Sequence, residues 1–139
     1  MKEMNNSLFA ENSLKYESSL GEEYKKNNGI FYTDLELANA MIDFLDMPKS
    51  ASIMEPSCGI GSFLYCLKQK GYTDITGCDI DFNTVEKCKE FANVENVYCI
   101  DTLGKSGEEV LKNVSFSVKA DNKIAVLSDN ELATTLLFQ

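Results

Sequence analysis

A chain of 139 residues, 44% hydrophobic and 25% charged, suits one domain that buries roughly two-thirds of the surface its unfolded form exposes, so neither disulfides nor a metal are needed to hold it. Thirteen Lys and Arg against 22 Asp and Glu leave a net charge of −9, which excludes the broad basic face of a nucleic-acid-binding domain and allows at most a local basic patch. The five cysteines form no Cys-x-x-Cys pair and histidine is absent, arguing against a zinc site and for a reducing, cytoplasmic setting; no apolar run is long enough to span a membrane.

Residues 1–28 are polar with scattered Leu8, Phe9, Leu14, Tyr16, Leu20 and Tyr24, and read as a partly helical arm that needs a surface to lie on. Thr33-Asp34-Leu35-Glu36 reads as a capping box, with Thr33 at the N-cap. It opens a helix with Leu37, Ala38, Met41, Ile42 and Leu45 on one face, ended by Pro48. Ser52 to Glu55 is a short strand and Pro56 to Gly61 a tight loop. The next helix places Phe63, Leu64, Cys66 and Leu67 on its apolar side and stops at Gly71. Asp74 to Cys78 reads as a second strand, Thr84 to Ala92 as a second helix with Val85, Cys88, Phe91 and Ala92 facing inward, and Asn96 to Ile100 as a third strand. Such alternation predicts parallel β-α-β units with right-handed crossovers. Beyond Asp101 the pattern weakens. Ser106-x-x-Glu109 fits a short helix, Val114–Val118 and Ile124–Leu127 fit strands around an Asp121-Asn122 turn, and Ser128-x-x-Glu131 fits a further helix start before Leu132, Leu136 and Leu137. The expected division is an arm over 1–28, a ligand-binding domain over 29–112 and a strand/helix segment over 113–139.

Chemistry concentrates in Glu55-Pro56-Ser57-Cys58-Gly59-Ile60-Gly61-Ser62-Phe63. In an open α/β sheet, ligands bind outside the carboxyl ends of the strands, and glycines let a ligand approach the backbone closely. A dinucleotide fingerprint needs a third glycine where Leu64 stands, and a pyrophosphate is repelled by Glu55. S-adenosylmethionine carries a sulfonium and an ammonium and no phosphate, so carboxylates beside it are favourable. An ordinary strand-to-helix turn is the other reading of Gly59 and Gly61. Asp79 lies 20 residues beyond Gly59, where an acid accepts both ribose hydroxyls; a solvated strand end is its alternative. Ile80 is placed to pack on an adenine face, and Asp101, ending the third strand, to accept from the adenine amino group. Asp81 reads as a helix-start residue. Thr33 reads as an N-cap, at a helix end that also suits the ligand carboxylate. The cysteines read as small buried hydrophobes, with Cys58, in the glycine loop, the one expected to be exposed.

Together these residues resemble the adenine-N6 DNA methyltransferases of restriction–modification systems. In that family a Gly-x-Phe/Tyr-Tyr-Thr-Pro helix start precedes Asp/Glu-Pro-Ser/Ala-Cys-Gly-x-Gly-x-Phe; residues 29–101 match that order. The resemblance implies a Rossmann-like α/β fold, here a truncated parallel sheet with flanking helices. It implies that Thr33 and Glu55 hold the methionine end of S-adenosylmethionine and that the backbone of Gly59 to Gly61 passes beneath it. Asp79 then binds the ribose, Ile80 lines the adenine and Asp101 meets its amino group. Tyr32, Pro56, Cys58, Phe63 and Thr102 complete the candidate set. Two positions depart from the family. Asp34 replaces a proline, which suits a first helical turn. The catalytic Asp/Asn-Pro-Pro-Tyr/Phe motif is missing, since the only prolines are Pro48 and Pro56, and Ser128-Asp129-Asn130-Glu131 offers no aromatic stacking face in its place. No catalytic residue and no metal ligand is therefore assigned. The expected function is cofactor binding within a DNA adenine methyltransferase, with DNA engaged only alongside another subunit or a missing C-terminal part. The alternative is a non-catalytic, regulatory partner of a methyltransferase or restriction complex. An open sheet edge also predicts a homodimer.

Overall fold

The computed structural model describes residues 5–28, 30, 32–102 and 124–126. Its frame is a parallel sheet of β1 (Ser52–Glu55), β2 (Asp74–Asp79), β3 (Val97–Cys99) and β4 (Ile124–Val126), in the order β3-β2-β1-β4. β1 pairs with β2 on one side and with β4 on the other, and all four of its residues are buried, as an interior strand requires. The chain steps outward from β1 through β2 to β3 and then returns to lay β4 against the free side of β1. That reversal of direction makes β1 the switch point of the sheet, beside which open α/β sheets bind ligands.

Among the described residues, five helices flank these strands: α1 (Asn6–Ser19), α2 (Glu22–Asn28), α3 (Leu35–Asp43), α4 (Ser62–Gln69) and α5 (Phe82–Ala92). α4 and α5 are the crossovers, and each buries an apolar side. Leu64, Cys66 and Leu67 of α4 and Val85, Cys88 and Ala92 of α5 are almost wholly enclosed. Phe91 is partly buried, covered on one side by Phe9 and Tyr16 of the arm. Gly71, with φ +88°, ends the turn after α4 in the left-handed conformation that favours glycine. Asp81 caps α5, its carboxylate accepting from the Thr84 N–H at 2.7 Å.

The sequence reading shifts the start of α5 and the ends of β2 and β3 by one or two residues, and it misplaces both ends of α3. The N-cap of α3 is Asp34 and not Thr33; the Asp34 carboxylate accepts from the Leu37 N–H at 2.8 Å. Both residue types cap well, but Asp34 also brings a negative charge to the positive end of the helix. Thr33 is thereby left outside, and its carbonyl accepts a hydrogen bond from the Ser62 hydroxyl. Asp34→Ala should lower the unfolding free energy by about 1 kcal/mol, a melting-temperature drop of roughly 3–5 °C in a thermal scan, whereas Thr33→Val should leave α3 capped. The second boundary is the C-terminus: α3 ends at Asp43, before Pro48, with its last turn tightened by the Phe44 and Leu45 N–H groups. Only a narrow stripe of it is covered. Ala38 and Ile42 are buried against the body, while Leu37 and Met41 are exposed.

The arm folds as α1 and α2 and lies on α4 and α5. Phe9 is buried between Tyr65 and Phe91, with ring centroids at 4.5 and 6.5 Å. The Tyr24 hydroxyl donates to the Asp81 carboxylate at 2.6 Å. The readings at Ser106–Glu109, Val114–Val118, Asp121-Asn122 and Ser128–Leu137 lie outside the described residues. Ile124–Val126 is a strand, as expected. No described helix is long and apolar enough to cross a membrane.

Candidate functional site

The site forms where β1 ends. Glu55 is the last residue of that strand and is buried, with one carboxylate oxygen accepting from the Ser57 N–H at 3.2 Å. Pro56 is fully buried and bends the chain over the sheet. The loop then crosses toward β2, where the Cys58 N–H donates to the Cys78 carbonyl at 2.8 Å. Gly59 and Gly61 both adopt positive φ, +52° and +90°. A side chain at Gly61 would collide with Cys88 and Ala92 of α5, its Cβ only 2.6 Å from the Cys88 Sγ. At Gly59 the neighbour is the Tyr32 ring, whose Cδ1 is 3.2 Å from where a Cβ would stand.

Leu64 occupies the place of the third glycine in a dinucleotide loop, and the room it needs comes from β2. A Cβ on Gly77 would lie 2.5 Å from the Leu64 Cδ1 and 3.0 Å from the Cys58 Sγ. The close approach of helix and strand is thus achieved by a glycine in the strand rather than in the loop.

The pairing register arranges the acids. Glu55 is level with Gly77, and Asp79 with Cys99. Because side chains alternate along a strand, Glu55 and Asp79 share one parity, that of Gly77, which faces α4. Asp79 stands two residues further along the carboxyl edge than Glu55, and Asp101 follows β3 by two residues. Asp79 is tied directly to the loop, with its Oδ2 accepting from the Gly59 N–H at 2.9 Å and its Oδ1 from the Asp81 N–H at 3.0 Å. Burial pushes its pKa up, against the pull of those backbone hydrogen bonds, which favour the charged form.

A shallow cleft lies above the loop. Among the predicted residues, Tyr32, Thr33, Glu55, Cys58, Gly59 and Phe63 line it. Pro56, Gly61, Asp79, Ile80, Asp101 and Thr102 do not. Gly61 starts α4, Asp79 braces the loop from the side, and Ile80 is exposed beyond it. Thr102 is buried and donates to the Pro56 carbonyl at 2.9 Å, fastening the chain after β3 to the loop. Gly29 and Phe31 lie outside the described residues. Sequence reasoning missed Ser57, Ile60 and Ser62, which also line the cleft. Ser62 is buried at the start of α4 and holds the Thr33 carbonyl. A hydroxyl directly after the second loop glycine was the signal for it.

The cysteine reading needs correcting. Cys58 is buried and Cys99 is exposed. Cys58 packs under the loop beside Gly77, and a hydrogen bond with Cys88 followed by burial raises its pKa well above the ordinary thiol value. Cys99 lies on the outermost strand on the β3 side, with its Sγ 3.4 Å from the Ile80 carbonyl.

The sequence model of the N-6 DNA Methylase family matches residues 15–123, most of the chain and the whole of this site up to Thr102. The chain belongs to the N-6 DNA methylase family. Its α/β sheet and flanking helices are a partial Rossmann-like methyltransferase fold. Among curated relatives, the type II methyltransferase M.VspI of Vibrio sp. (strain 343) is 42% identical over 71 residues, covering 48% of this chain and 17% of its own length. M.HincII of Haemophilus influenzae is 42% identical over 62 residues, 45% of this chain and 12% of that one. The modification methylase CviBIII of Paramecium bursaria Chlorella virus NC1A is 29% identical over 136 residues, 88% of this chain and 36% of its own. The chain therefore spans well under half the length of each of these methylases.

Whether an N-6 DNA methylase cofactor suits the cleft can be judged from the donor set. Among the described residues, the lining holds a buried carboxylate, three hydroxyl side chains from Thr33, Ser57 and Ser62, a phenol and a glycine backbone, and neither Lys nor Arg. That set disfavours phosphate and favours a cationic ligand. The residues fit S-adenosylmethionine.

Proposed function

We propose that the chain supplies the S-adenosylmethionine-binding portion of a cytoplasmic DNA adenine-N6 methyltransferase of restriction–modification type, and that it does not methylate DNA by itself. The observation that carries this reading is the glycine loop, held by the Asp79 carboxylate beside a cleft lined by the buried acid Glu55. Family membership and the type II methyltransferase names of its relatives support it.

In this reading Tyr32, Thr33 and Glu55 hold the methionine end, with Cys58 and Phe63 shaping the cleft. Gly59 and Gly61 present backbone without side chains, with Pro56 and Thr102 fixing the loop from behind. Asp79 receives the ribose hydroxyls, Ile80 covers the adenine and Asp101 accepts from its amino group. The bound cofactor supplies an electrophilic methyl group. This chain contributes binding and orientation, since the Asp/Asn-Pro-Pro-Tyr/Phe element that grips a flipped adenine is absent from its sequence. DNA engagement requires an additional subunit or further chain, consistent with the net charge of −9. In the proposed division, residues 29–112 form the binding domain, residues 1–28 the arm and residues 113–139 a C-terminal segment that contributes β4 (Ile124–Val126).

Isothermal titration with S-adenosylmethionine and S-adenosylhomocysteine tests the reading. Binding of both without methyl transfer to duplex DNA is expected; no heat with either ligand would overturn it. The titration should also depend on pH. A carboxylate whose folded pKa is raised stabilises the fold below its unfolded pKa, and loses that contribution as pH rises through the folded value. The ionised Asp79 of the free protein is thus a cost at neutral pH. Ribose hydroxyls donating to it favour that ionised form, so affinity should weaken as pH falls from neutrality through the raised Asp79 value, by up to about tenfold per pH unit.

A further inference from the structure

We propose that Tyr16, on the arm helix α1, is a positioning residue for the cofactor cleft, holding the ring of Tyr32 in place over Gly59; this rests on the cofactor reading above. Tyr32 belongs to the irregular segment 32–34 between α2 and α3, so no helix or strand ladder sets its direction. Its ring must be oriented by packing, and it is the roof of the loop, within 3.2 Å of the space above the Gly59 Cα. Tyr16 stacks on it with ring centroids 6.3 Å apart and planes inclined by 30°.

Tyr16 is itself held on two further sides. Its ring meets Phe91 of α5 edge-on, at 6.4 Å and 77°, and its hydroxyl is 3.4 Å from that of the buried Thr84. Two turns earlier on the same face of α1, Phe9 is sunk between Tyr65 and Phe91, and Asn6 accepts from the Tyr65 hydroxyl at 2.9 Å. α1 is thereby fixed to α4 and α5, the same helices that start beside the glycine loop and beside Asp81. Tyr16 carries that rigidity to a residue of the cleft. Aromatic stacking is the property that matters, and the Thr84 contact is secondary.

The test compares Tyr16→Phe, Tyr16→Leu and Phe9→Leu in the full chain, by titration with S-adenosylhomocysteine and by thermal melting. Tyr16→Phe keeps the ring and should bind within about twofold of wild type. Tyr16→Leu should weaken binding about three- to tenfold, the range of an aromatic pair. Phe9→Leu loosens the same helix and lowers the melting temperature, yet should leave the affinity of the folded protein within about twofold. A purely structural role predicts instead that both leucine variants lower the melting temperature without moving Kd, or move Kd together; either result overturns the proposal. In the wild-type chain, the ring resonances of Tyr16 should shift in NMR spectra on addition of S-adenosylhomocysteine, and unmoved Tyr16 signals in a protein that binds would also overturn it. No heat from the wild type defeats the cofactor reading itself. Wild-type heat that persists unchanged in Tyr16→Leu defeats only the role of Tyr16.

Discussion

Replacing Asp79 by alanine should weaken S-adenosylmethionine binding by about a hundredfold while moving the melting temperature by only a few degrees. Two of its oxygens' hydrogen bonds go to backbone N–H groups, Gly59 at 2.9 Å and Asp81 at 3.0 Å. Hydrogen bonds to a charged acceptor are each worth about 1.5–3 kcal/mol. The alanine variant loses the tie that fixes the loop and the acceptor assigned to the ribose at the same time. Stability suffers less, because removing a half-buried carboxylate also relieves the desolvation that raises its pKa. Asp79→Asn is the informative companion. Its amide keeps one acceptor oxygen and places an NH₂ where a backbone N–H must be met, so its affinity should fall between those of wild type and alanine. Titration and melting curves of the three proteins decide the matter; equal affinity across the set would remove Asp79 from the site.

Gly61→Ala should have the largest effect on folding. The residue sits at φ +90°, a conformation that costs an L-residue about 1–2 kcal/mol. A Cβ there would lie 2.6 Å from the Cys88 Sγ and 3.0 Å from the Ala92 Cβ, both on α5. Overpacking of this kind typically adds about 1–3 kcal/mol. The combined loss of roughly 2–5 kcal/mol is a large part of the stability of a small domain. A melting-temperature drop of about 10 °C or more is expected, with a shift in denaturant midpoint to match. Pairing it with Cys88→Ala should recover part of the loss, because the nearest obstruction is then gone. A variant as stable as wild type would mean that α5 does not press on the loop.

The parts of this architecture that were legible from sequence are those punctuated locally. β1 was read to the residue, because Pro56 and the loop glycines follow it at once. Asp81 was read as a helix start and is the N-cap of α5. The strand order was not legible, since only pairing shows that β4 lies beside β1. At α3 two good caps stand side by side, and composition alone does not choose between Thr33 and Asp34. Cys58 was misjudged because its burial depends on Gly77, a residue nineteen positions away whose missing side chain opens the space. The ring contacts of Tyr16 join segments with no shared periodicity, so the arm could be read as needing a surface but not as reaching the cleft. Within the site, the cleft-lining set from Tyr32 to Phe63 came from one contiguous motif and one helix start. Ser62 escaped because a serine there also serves as an unremarked first helical residue.

The order β3-β2-β1-β4 also sets a timetable for the chain as it folds. Neighbours β1, β2 and β3 are joined by short helical crossovers, so their contacts close small loops and are kinetically cheap. β4 must wait until the polypeptide has travelled out to β3 and back, because Ser52 pairs with Ile124. The carboxylates of Glu55, Asp79 and Asp101 all lie in the early-closing portion. A nascent chain emerging from the ribosome can therefore assemble the glycine loop and its acids before the sheet is complete on the other side of β1, leaving that side of β1 open in the meantime as a template for the strand to come.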